Sequence, residues 1–69
     1  MKIRVTTLCT DGTSEPVTRL EDKANSNYLI DKKRCYESDS RYNILESTEK
    51  KLVVASGFRD KYQTVYEIL

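Results

Sequence analysis

Tyr28-Leu29-Ile30-Asp31-Lys32-Lys33-Arg34-Cys35-Tyr36-Glu37 is rich in tyrosine and aliphatic side chains, which suit a pleated, half-buried surface. The stretch reads as a strand. Ser38-Asp39-Ser40 follows as a turn, and residues 41–47, 51–57 and 63–69 continue a meander. Register is set by the pairs that each turn produces. Closing one hairpin at Thr48-Glu49 sets Leu45 against Leu52, Ile44 against Val53 and Glu46 against Lys51. Closing the next at Asp60-Lys61 sets Ala55 against Tyr66, Val53 against Ile68 and Leu52 against Leu69. Tyr42, Ile44, Val53, Ala55, Tyr66 and Ile68 then share one face, and Leu45, Leu52, Val54, Val65 and Leu69 the other. Phe58, Tyr62, Val65, Tyr66 and Leu69 also fit a helical period, but Thr64, Val65 and the tyrosines favour strand.

Upstream, Asp11-Gly12 marks a tight hairpin turn, because glycine tolerates positive φ. Folding there puts Ile3 opposite Leu20, Val5 opposite Thr18 and Lys2 opposite Glu21, with Ile3, Val5, Cys9, Pro16 and Leu20 on one face. Pro16 has no N–H, so this arm is an edge. The competing reading is a helix near 15–25, capped by Ser14, with Val17, Leu20 and Ala24 as a thin stripe. Residues 23–27 are loop-like in either case. A sheet apolar on both faces wants cover on both, which curvature toward a barrel supplies. The expected fold is therefore all-β: a small curved antiparallel sheet or barrel of about five to six strands. The alternative is α+β, with one short helix near 15–25 packed on an antiparallel meander.

Sixty-nine residues make a single small domain, 1–69, and sixteen of them are Ile, Leu, Val or Phe. So small a core leaves little margin, and a partner subunit is a common remedy. Twelve basic and eleven acidic residues are interspersed, giving a net charge of +1 and no polyelectrolyte character. The first residues carry no continuous apolar run, and no stretch reaches membrane-spanning length, so the expected location is cytoplasmic and away from the membrane. There Cys9 and Cys35 are expected as reduced thiols, buried as small hydrophobes.

Histidine is absent, which removes histidine triads and histidine metal sites. Two cysteines cannot complete a zinc site. The acid pairs Glu21 with Asp22 and Glu37 with Asp39 lie among polar neighbours, where nothing raises a carboxyl pKa. Gly12 and Gly57 stand alone, whereas phosphate-cradling loops need several glycines; Gly57 reads as a bend or bulge before Phe58. Neither an enzyme nor a cofactor nor a metal is expected. The chain also lacks the tryptophans and acidic loop of a peptide-binding SH3 domain and the aromatic consensus of an RNA-recognition motif. Its small size and lack of catalytic equipment are in the style of bacteriophage accessory proteins, a likeness that rests on no motif.

Binding is what remains. Tyrosine buries area while keeping a polar tip, and interfaces are enriched in it. Tyr28, Tyr36 and Tyr62 are the tyrosines least used by the expected pairings. They are the candidate contacts of an inhibitor or adaptor that occludes or bridges a protein partner through a sheet face or edge. A homodimer is a further candidate assembly. The alternative is a small nucleic-acid-binding barrel that uses the hairpin of Lys32, Lys33 and Arg34 with Tyr36, Arg41 and Tyr42. Asp31, Glu37, Asp39 and Glu46 surround that hairpin and cut its field.

Overall fold

Tyr28–Glu37 is a helix, α1, in the computed structural model, which describes residues 1–22 and 27–69. The stretch holds no glycine or proline, and only Ile30 is β-branched. Tyr28, Leu29, Lys32, Lys33 and Tyr36 are its less exposed residues, spaced as one helical stripe. Asp31 in the first turn and Arg34 in the last complement the helix dipole. Lys33 Nζ reaches Glu37 at 3.7 Å one turn on. Ser38 closes the end: its N–H donates to the Arg34 carbonyl and its hydroxyl to that of Cys35. The tyrosines that argued for a strand are the residues this helix turns onto the sheet.

Five strands form that sheet: β1 (Lys2–Cys9), β2 (Val17–Asp22), β3 (Tyr42–Ser47), β4 (Lys51–Ser56) and β5 (Tyr62–Ile68). All pairs are antiparallel, in the order β2-β1-β5-β4-β3. The sheet is open, with β2 and β3 as its edges. The all-β barrel is thereby corrected to an α+β fold, the class of the alternative. The helix lies at 28–37 instead of near 15–25, because residues 17–22 are strand β2. The expected loop at 23–27 falls mostly on residues 23–26, outside the described residues.

One face of the sheet meets α1. Ile3, Val5, Leu29, Leu52, Val54 and Tyr66 are buried there, with Tyr28, Tyr36, Ile44 and Ile68 packed around them. Pairing explains this grouping. Ile3 faces Ile68, Val5 faces Tyr66, Tyr66 faces Leu52, and Val54 faces Ile44, so one apolar face spans four strands. Tyr66 reaches the helix through a 2.6 Å hydroxyl–hydroxyl bond with Tyr36.

The expected registers differ from these. Ile3 opposes Glu21, not Leu20, and that one-residue slip sends Leu20 to the opposite face, where it is exposed. A bulge between Ile44 and Glu46 leaves Leu45 without an opposite residue, so Leu52 pairs with Ser47 in place of Leu45. Val53 pairs with Val65 and not with Ile68, because residues 57–61 form a wider connection than a two-residue turn. Leu52 and Val54 therefore join Tyr66 and Ile68 on the helix side, while Val53 and Ala55 take the other.

Candidate binding site

Two connections meet at one end of the sheet. The Thr10 N–H at the end of β1 donates to the Lys61 carbonyl before β5 at 2.8 Å. Lys61 Nζ lies 3.0 Å from Asp11 Oδ2. The other oxygen, Asp11 Oδ1, accepts the Cys9 thiol at 2.8 Å, the Thr13 hydroxyl at 2.7 Å and the Thr13 N–H at 3.0 Å. Cys9 first, then Thr13 and Lys61, hold the Asp11 carboxyl well below the usual carboxylate range.

A third turn at this end behaves alike. Arg41 pairs with Asp39 at 2.7 Å, and its guanidinium and backbone N–H hold the Asp39 carboxyl down to about 2. Carboxyls depressed on folding contribute stability above the unfolded value of 3.8, and that contribution is lost as pH falls toward about 2. Urea unfolding from pH 6 to 2 is expected to show the midpoint dropping below about pH 4. Replacing Asp11 and Asp39 by Asn is expected to flatten that drop; an unchanged drop would assign acid sensitivity elsewhere.

The β4–β5 connection is unusual in its backbone. Gly57 has φ 82° and ψ 179°, and Arg59 and Asp60, neither of them glycine, both have φ 56°. Such left-handed steps cost about 1–2 kcal/mol each for residues bearing a Cβ. Asn43 Nδ2 on β3 steadies the connection by donating to Asp60 Oδ1 at 3.0 Å, and the Asp60 N–H donates to the Gly57 carbonyl. Phe58 is left 81% exposed, more than any other large apolar side chain among the described residues. The Arg59 guanidinium sits 5.2 Å from its ring. Tyr62 is 53% exposed, with Lys61 Nζ 5.4 Å from its ring. An open cleft of about 320 Å³ beside it is lined by Cys9, Val17, Tyr62 and Thr64 among others.

The residues expected from sequence are dispersed by the helix. Tyr28 and Tyr36 are half-buried between α1 and the sheet, each 6.2 Å from the Tyr66 ring, and the Tyr28 hydroxyl donates to Glu21 at 3.2 Å. Tyr62 alone of the three is an exposed ring. Lys32, Lys33 and Arg34 belong to α1, not to a hairpin. Lys32 Nζ lies 5.6 and 5.7 Å from the Tyr28 and Tyr66 rings. Tyr36 and Tyr42 do meet, at 4.8 Å, with Arg41 5.8 Å from the Tyr42 ring. Cys9 and Cys35 are both unpaired; Cys9 is half-buried, and Cys35 is exposed on α1 and not buried. The sequence marks Phe58 only through the lone Gly57 before it, which signals a bend.

Among the described residues, no helix is long and apolar enough to cross a membrane, and no three His, Cys, Asp or Glu side chains gather as a metal set. Compared with protein-family models, curated proteins and solved structures, the chain matches none.

Proposed function

We propose that the chain is a non-catalytic binding protein, an inhibitor or adaptor, that meets another protein with the end of the sheet carrying Phe58 and Tyr62. Phe58 is the observation behind this reading. A large apolar ring is held out in water by a connection whose backbone conformation is costly, and strain of that kind concentrates at functional sites. Aromatic and arginine side chains are also what protein interfaces concentrate at their centres. The charges at this end of the sheet are mixed: Arg41, Arg59 and Lys61 stand among Asp11, Asp39 and Asp60. Such a field orients a protein partner but offers a polyanion little. Of the tyrosines expected as anchors, Tyr62 keeps that role in this reading.

The test uses the chain as bait in its native host, followed by calorimetry with the purified partner. Phe58→Ala is expected to unfold in urea like the parent and to bind on the order of 30-fold more weakly, about 2 kcal/mol. Parent-like binding by both Phe58→Ala and Tyr62→Ala would overturn the site.

Nucleic-acid binding is the second reading, and one observation favours it: Tyr42, with Arg41 over its ring, meets Tyr36 of α1, the helix that carries Lys32, Lys33 and Arg34. Against it, Lys33 is paired with Glu37 and Arg41 with Asp39. Short single-stranded DNA and RNA are expected to show no retention at physiological salt. Sub-micromolar, salt-sensitive binding that is lost when Lys32, Lys33 and Arg34 become Ser would make this the function.

A further inference from the structure

The two edges of the sheet are not equivalent. The ladder of β3 is broken by the bulge at Leu45, a device that discourages further pairing. The ladder of β2 is unbroken over Thr7–Val17 to Lys2–Asp22, and among the described residues no strand covers its outer side. Pro16 stops just short of the strand, and every residue of β2 except Glu21 is exposed.

The direction of the backbone groups on β2 follows from β1. The Lys2 carbonyl accepts the Leu69 N–H and the Thr10 N–H donates to Lys61, so the even-numbered residues of β1 face β5. Ile3, Val5 and Thr7 therefore face β2, and their partners Glu21, Arg19 and Val17 point back at them. Thr18, Leu20 and Asp22 are left to direct N–H and C=O outward.

We infer that β2 pairs antiparallel with β2 of a second copy of this chain, about a two-fold axis at Leu20. Charge selects this register over its two neighbours. An axis at Arg19 would set Arg19 against itself, and an axis at Glu21 would set Glu21 against itself; like charges directly opposite are unfavourable. With the axis at Leu20, Arg19 of each copy faces Glu21 of the other, twice. Both sit at non-hydrogen-bonded positions, where side chains approach most closely. Leu20, 66% exposed in the single chain, meets its own copy, and Thr18 exchanges backbone bonds with the other Asp22. Arg19 Nε already lies 3.0 Å from Glu21 of its own chain, so pairing joins two ion pairs into one cluster of four side chains. Edge pairing of this kind makes one continuous ten-stranded sheet and leaves the Phe58 end of each copy free.

Sedimentation velocity over a wide concentration range, with the full chain, tests the inference. The parent is expected to reach the mass of a dimer, and Phe58→Ala to associate like the parent. Leu20→Pro removes an outward N–H and no bond to β1, so it is expected to stay folded and monomeric. Arg19→Glu is expected to weaken association at least tenfold, and adding Glu21→Arg to the same chain to restore it. A parent that stays monomeric, a Leu20→Pro variant that still dimerises, or a charge swap without rescue would overturn it. Should Leu20→Pro fail to fold, the charge swap decides alone.

Discussion

Leu52→Ala is expected to abolish most of the stability of the chain, costing about 2–5 kcal/mol. Leu52 is 1% exposed and opens the run Leu52-Val53-Val54-Ala55, all of it buried. It faces Tyr66 across to β5 and lies in the cluster under Leu29 of α1. A domain of this length has only about 3–10 kcal/mol in total, at the usual 0.05–0.15 kcal/mol per residue. Urea titration followed by near-ultraviolet circular dichroism is expected to show a much lower midpoint or no cooperative transition. Leu45→Ala is the matched control, expected to cost less than about 1 kcal/mol, because Leu45 is the bulged residue and 47% exposed. A tight Thr48-Glu49 hairpin would have made these leucines neighbours with similar costs. Equal losses would therefore contradict the bulge.

Gly57→Ala is the second large effect, at about 2–4 kcal/mol. With φ 82° and ψ 179°, Gly57 occupies a region nearly closed to residues with a Cβ. An added Cβ would also come within 2.9 Å of Tyr62 Cδ2, so the ring must move. Gly12→Ala separates the two causes. Gly12 has φ 76° but nothing within 4 Å of the added Cβ, and about 1 kcal/mol is expected there. Urea midpoints for the pair give the comparison; equal small losses would mean that the tight approach to Tyr62 relaxes freely. Because Tyr62 belongs to the proposed contact surface, Gly57→Ala is also expected to weaken partner binding.

Alternation and turn residues located β3, β4 and β5 in the sequence, and an Asp-Gly pair located the first hairpin. Register was less accessible. Leu45, Leu52, Val53, Val54 and Val65 put apolar side chains on both faces, so a slip of one residue leaves the pattern looking equally good. What decides it is the bulge at Leu45 and the width of the 57–61 connection, and neither has a strong sequence mark. Helix α1 departs from the sequence pattern for a different reason. Tyr28 and Tyr36 have intrinsic strand preference, but their spacing with Leu29 and Lys32 lets one helix face cover Tyr66, and packing overrode propensity. The exposed position of Phe58 depends on left-handed Arg59 and Asp60; aspartate visits that region more readily than most residues, but arginine carries no such mark.

Strand β5 lies between β1 and β4, and it alone holds the β1–β2 hairpin to the β3–β4 hairpin within the sheet. Its antiparallel pairing with β1 begins where Leu69 donates to Lys2 at 3.0 Å. A pulling force applied at residues 2 and 69 therefore loads that seam at one end, like a zipper. The ladder from Ile3–Ile68 to Cys9–Tyr62 opens one rung after another, with no moment at which all rungs share the load. The molecule is mechanically soft along this direction, however well its core is packed, and the first rupture separates the hairpin that carries β2 from the half that carries Phe58.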